Sequence, residues 1–176
     1  MTHALLSAFL LICPALIIVG GVHDLISYRI PNWISLVLLA AFAVAAAAAF
    51  ALGVPPSILG LNLAVGFAAL LIGFCMFAFG WIGGGDAKLF ASGALWIGWT
   101  GAATYAAATC IAGGAFSILI LAFRSDIGRA YLPANGPAWF ARLIEPKAQI
   151  PYGVAIAIGA LAAFPESSLV KALAAL

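Results

Sequence analysis

Two aspartates stand out as the residues with chemistry to offer. Asp24 lies in "HDLISYRIPN" (23–32) and Asp86 in "GGGDAKLF" (83–90), and no other acid occurs in the first 125 residues. Both sit between long apolar runs, where a carboxylate is costly and its presence calls for a reason. Four readings are open. Each aspartate is a solvated interfacial residue paired with Arg29 or Lys88; the two bind and release a cation or proton, as in a small ion- or proton-coupled transporter; His23, Asp24 and Asp86 hold a metal; or the two carboxylates form a proteolytic dyad. In a dyad one carboxylate stays protonated, because like charges in one site oppose double ionisation. The ionised partner activates water and the protonated one donates to the scissile amide. No cofactor or metal is then needed, and none is expected.

The glycines favour the dyad. Gly83, Gly84 and Gly85 permit positive φ and the close approach of another chain, which an ion pair does not require. Asp86 opens a helix, where the N-terminal partial charge favours a carboxylate, whereas Asp24 closes one. That asymmetry makes Asp86 the expected ionised member and Asp24 the proton-bearing one.

The elements that must position this pair follow from composition. Of 176 residues, 66% are hydrophobic and only 7% are charged, against about 25% in globular domains. Too few charges exist to cover a soluble fold, so the chain is expected to be an all-α membrane protein forming one domain over 1–176. A net charge of +2 is too small for a nucleic-acid surface. Cys13, Cys75 and Cys110 form no CxxC pair and read as apolar packing residues.

A spanning helix needs about 20 apolar residues. Runs at 4–22, 33–52 and 58–81 qualify, with Asn32 placed to cap the second. The N-terminal run lacks a basic region and a cleavage site, so it reads as a retained span. The run 87–123 is too long for one crossing at about 1.5 Å per residue. It divides at "WIGWTG" (96–101) into spans 87–99 and 102–123, with the tryptophans at an interface. A short sixth span covers 150–164.

With six spans, the loops at 23–32, 82–88 and 124–149 share one side and carry Arg29, Lys88, Arg124, Arg129, Arg142 and Lys147, six of the seven basic residues. The positive-inside rule makes that side cytoplasmic and places both termini outside. Asp24 and Asp86 then both lie at the cytoplasmic boundary of the membrane. In the loop 124–149, "GPAWFARLIEPK" (136–147) puts Trp139, Phe140, Leu143 and Ile144 on one face, as an interfacial helix or one packed on the bundle.

"DLISYRIPN" and Gly83–Lys88 together resemble the signature motifs of the type IV prepilin peptidases, the GxGD-type membrane aspartic proteases; "PYG" (151–153) resembles the family's Pro-aromatic-Gly element. The resemblance implies an endopeptidase that removes the short leader of prepilins at the cytoplasmic face of the bacterial inner membrane, with prepilins or pseudopilins and the lipid bilayer as partners. It implies Asp24 and Asp86 as the catalytic pair, with Gly83, Gly85, Lys88, Arg29, Pro31 and Asn32 shaping the motif loops. Larger members carry a paired-cysteine insertion after the first span. This chain has none, so methyltransferase activity is not expected, and the compact form resembles the peptidases of Flp-type (tight-adherence) pilus systems.

Overall fold

The computed structural model describes residues 9–125, 128, 137–146 and 148–174. Parts of the expected first span, and Arg129 and Lys147 of the expected cytoplasmic loop, lie outside them. Among the described residues every regular element is helical: α1 (Ile12–Ser27), α2 (Asn32–Ala51), α3 (Pro56–Ala78), α4 (Gly84–Arg124), α5 (Ala138–Leu143), α6 (Gly153–Ala163) and α7 (Ser168–Ala174). A 3-10 turn, Phe164–Glu166, joins α6 to α7.

Among the described residues four stretches are long and apolar enough to cross a membrane: α2, α3, α4, and the run Gly153–Ala174 formed by α6 and α7 together; α1 is apolar but shorter over its described length. Their outer faces are apolar as well. Leu36, Phe67, Phe74, Ile111 and Ile118 are each more than 60% exposed, an arrangement suited to lipid and not to water.

Inside, contacts are made by small residues. The side of α3 that is buried consists of Asn62, Gly66, Ala69 and Gly73, a helical stripe with almost no side-chain volume. A Cβ on Gly66 would lie 2.8 Å from the Leu95 Cβ, and one on Gly73 would lie 3.0 Å from the Ala87 Cβ. In lipid no hydrophobic gradient separates one helix from another, so close backbone packing of this kind holds them together. The alanine run of α2 acts similarly, with Ala45 and Ala49 fully buried one turn apart.

Chain reversal inside α4 is the decisive feature of the fold. Gly98 has φ 70° and ψ −168°, within the expected turn at 96–101. Phe90 stacks on Tyr105 with ring centroids 4.5 Å apart, whereas fifteen residues of straight helix would separate them by about 22 Å. The limbs 84–97 and 99–124 therefore lie side by side. A side chain at Gly98 would collide with Asn62 and Ser168. The carbonyls freed by the break are satisfied from other helices: Asn62 Nδ2 donates to Leu95 O (3.1 Å), Ser167 Oγ to Trp96 O (2.7 Å) and Ser168 Oγ to Ile97 O (3.4 Å). Broken helices survive at membrane depth only when such partners exist.

Several boundaries and roles differ from expectation. Helix α1 continues through His23 and Asp24 to Ser27, so Asp24 lies inside its last turn. Asn32 does not cap α2; Pro31 is the N-cap, with its φ of −64° suited to a helix start, and no side chain caps it. Trp96 is not interfacial: it is buried, donates Nε1–H to Leu38 O (2.9 Å) and meets Phe42 edge-on, while Trp99 is the exposed member of the pair. Cys13 is a packing residue, but Cys75 and Cys110 face outward. The final helix starts at Gly153 and, after the turn at Pro165, resumes to Ala174, longer than the expected 150–164.

Candidate active site

Three chain reversals meet at one end of the bundle: the turn after α1, the turn between α3 and α4, and the stretch leading into α6. They enclose a cavity of about 700 Å³ whose walls include Asp24, Tyr28, Arg29, Gly83, Gly84, Gly85, Asp86, Gln149 and Tyr152. The two aspartates, far apart in sequence, thus open onto the same space.

Asp24 is 6% exposed and is held from the far end of the chain. The backbone N–H of Gly153, at the start of α6, donates to Asp24 Oδ2 (2.9 Å). The contact exists because α1 and α6 cross at glycines. A Cβ on Gly21 would lie 2.7 Å from the Gly153 carbonyl oxygen, and one on Gly153 would lie 2.8 Å from the Asp24 Cβ. A side chain at Gly21 would displace Gly153, and one at Gly153 would displace Asp24.

Asp86 is held by its own helix. Gly83 is the N-cap of α4, and Asp86, three residues on, turns Oδ2 back toward the Gly83 backbone N–H. This is half of a capping box, with a carboxylate reaching the N-cap amide. Its other oxygen, Oδ1, is buried and has no partner among the described residues. Asp24 is therefore fixed through one oxygen by a backbone amide at a helix start, and Asp86 turns one oxygen toward another such amide. The expected asymmetry between the two loses its basis, because Asp24 also faces a helix N-terminus, that of α6.

Glycine serves this site through closeness and not through left-handed backbone. Gly83 has φ −71°, Gly84 and Gly85 are helical, and none of the three is among the positive-φ residues. A Cβ on Gly85 would come within 3.0 Å of the Ile30 Cβ, and one on Gly83 within 2.9 Å of Asp86 Oδ2. Gly85 thus lets the loop after Asp24 pack onto the loop before Asp86.

The remaining expected residues divide between wall and frame. Arg29 lines the cavity with an exposed side chain, and its carbonyl accepts a hydrogen bond from His23 Nδ1 (2.7 Å), which closes the turn after α1. Lys88 Nζ donates to Asn32 Oδ1 (3.0 Å) and so ties the two motifs together. Among the described residues no group of three or more His, Cys, Asp or Glu side chains is close enough to hold a metal ion.

Three features take roles that the sequence does not assign them. One is the amide of Gly153, whose "PYG" context was the only signal. A second is Tyr28, in the left-handed conformation with a buried hydroxyl. The third is Arg124, whose guanidinium donates to Leu143 O (2.9 and 3.1 Å) and straps α5 to the bundle. Helix α5 therefore packs against α1, with Leu143 buried and Trp139, Phe140 and Ile144 half-buried.

An all-helical chain with an apolar exterior and two carboxylates converging in a cavity at the end of its bundle is a membrane protein with a candidate hydrolytic site. Residues 10–118, more than half of the chain, match the model of the type IV leader peptidase family, and the chain belongs to that family. It is accordingly a peptidase of the membrane, with the general role of a type IV leader peptidase. The match takes in Asp24 and Asp86 and ends before Gly153. No curated protein and no solved structure matches the chain.

Proposed function

We propose that this protein is an aspartic endopeptidase that cuts the leader from type IV prepilins, of the Flp-like kind, using Asp24 and Asp86 as its catalytic pair. The observation that carries the reading is the convergence of the two carboxylates in one cavity, with one oxygen of each turned to a backbone amide. In the proposed reaction the pair shares one proton. The ionised carboxylate takes a proton from water as its oxygen attacks the scissile carbonyl. The protonated carboxylate then delivers its proton to the departing amine, so the pair ends with one proton again.

The chain is read as crossing the membrane six times, counting α1, α2, α3, the two limbs of α4, and α6 with α7. Its cavity faces the cytoplasm and both termini lie outside. The reversal at Gly98 supports that count, and the side bearing Arg29, Lys88, Arg124 and Arg142 supports the orientation. Gly83 and Gly85 shape the site, and Arg29, Pro31, Asn32 and Lys88 support its loops.

The test is cleavage of a purified type IV prepilin by the detergent-solubilised protein, where no ion gradient exists. The wild type should cleave, and D24N and D86N should each abolish cleavage; both asparagines keep an acceptor for the amides that hold these side chains. Cleavage that survives both substitutions would reject the pair. Gradient-dependent ion movement with no cleavage would instead support the transporter reading.

A further inference from the structure

Tyr28 is placed at a cost that its surroundings do not explain. It is the one non-glycine residue with positive φ among those described (φ 57°, ψ 27°), and it caps α1 by donating its N–H to Asp24 O (2.8 Å). The left-handed conformation costs a residue with a side chain about 1–2 kcal/mol, and helices commonly end on glycine for that reason. Its hydroxyl is buried and has no hydrogen-bond partner among the described residues, a second cost of about 1–3 kcal/mol. Glycine or asparagine would serve the turn, and phenylalanine would serve the packing. Tyrosine carries both costs.

The location gives those costs a use. Tyr28 forms part of the wall of the cavity that holds Asp24 and Asp86, and it is one helical turn beyond Asp24. The Arg142 guanidinium lies over its ring, 5.9 Å from the centroid, which fixes the ring while leaving the hydroxyl unpaired. Burial pushes the phenol up from its ordinary value, with Arg124 and Arg142 opposing, so the group is a neutral donor at physiological pH. A buried donor without an acceptor, on a residue of the cavity wall, matches a ligand that supplies acceptors once it opens that wall. A peptide does so at every carbonyl. Strained residues held in place by the surrounding structure cluster at active sites and ligand clamps.

We propose that the Tyr28 hydroxyl donates a hydrogen bond to the carbonyl of the scissile bond in the substrate, and so holds the chain against the Asp24–Asp86 pair. The inference rests on the peptidase reading above. It makes Tyr28 a substrate-contacting residue whose contribution is greatest in the transition state, when the carbonyl oxygen gains charge.

The experiment compares wild type, Y28F, Y28G, D24N and D86N as purified full-length proteins in detergent, with a type IV prepilin carrying its leader as substrate. Y28F keeps the ring and removes only the hydroxyl. It should lower kcat/KM by about 10²- to 10³-fold, mainly through kcat, with a thermal midpoint equal to or above that of wild type. Y28G relieves the left-handed strain, and it should hold its midpoint while losing cleavage to at least the same extent. A purely structural tyrosine would instead shift the midpoint and leave the kcat of Y28F unchanged. Wild-type cleavage by Y28F, with D24N and D86N inactive, would overturn the role of Tyr28 and leave the peptidase reading standing. Undiminished cleavage by D24N and D86N, or none by wild type, would remove the peptidase reading and this inference with it.

Discussion

At the scale of residues, the site is a pair of carboxylates aimed by backbone amides. The aim depends on glycines that leave no room for a methyl group. Gly153→Ala puts a Cβ where the Asp24 Cβ now approaches within 2.8 Å, so Asp24 must shift. A misplacement of about 1 Å in a catalytic group can cost 10²-fold in rate. Prepilin cleavage by G153A should fall by about that factor, while the overpacking costs about 1–3 kcal/mol of stability; a melting curve alongside the assay separates the two. Lys88 gives the opposite contrast. Its bond to Asn32 is exposed, and exposed polar links contribute about 0–1 kcal/mol. K88M should therefore melt close to wild type and change cleavage by less than about tenfold, and a larger loss would assign Lys88 a direct part in the reaction. Asp24, Asp86 and the glycines before Asp86 were legible in the sequence because acids are scarce there and their flanks are distinctive. The Gly153 amide was not, since it meets Asp24 across 129 residues and a backbone amide leaves no mark on residue type.

At the scale of elements, the break at Gly98 decides the architecture. Its presence was predictable from length, because a run from 87 to 123 exceeds one bilayer crossing. How it is stabilised was not. Asn62 is far in sequence from the adjacent Ser167 and Ser168, and all three look like stray polar residues in an apolar chain, yet together they satisfy the freed carbonyls. Gly98→Ala must adopt positive φ and press a methyl group into Asn62 and Ser168. It should lower stability by about 1–3 kcal/mol, read as an earlier thermal midpoint in detergent. Asn62→Leu strands two of the same partners and should act in the same direction, and the double variant should cost less than the sum, since both changes disturb one junction. The ends of α1 and α6 lie several residues from where the apolar runs place them, for a simple reason: an apolar helix does not stop where its hydrophobicity stops. Helix α1 runs one turn past its apolar stretch because Tyr28 and the His23–Arg29 bond close it there.

At the scale of the whole molecule, two ends of one bundle do different work. One end gathers the cavity, both motif loops and four described basic residues; the other holds the Gly98 junction and the turn after α2. The proposed orientation places the cavity end in the cytoplasm. In a background with Cys13, Cys75 and Cys110 replaced, Leu52→Cys should react with a membrane-impermeant maleimide in intact cells. Trp81→Cys should react only after permeabilisation, and the reverse pattern would invert the topology. Apolar composition made the membrane assignment legible from the sequence. The way the helices bury glycine and alanine instead of large side chains was not, because large apolar residues are equally at home facing lipid.

The central claim is that Asp24 and Asp86 act as one catalytic unit, and a double-mutant cycle on cleavage tests it most directly. Single-turnover rates on a prepilin would be measured for wild type, D24N, D86N and D24N/D86N. Residues that work as a unit are strongly non-additive. Each single substitution should therefore bring the rate to about the same residual level, and the double variant should be no slower. Substantial cleavage by either single variant, or a double variant slowed by the product of the two single effects, would contradict the shared site.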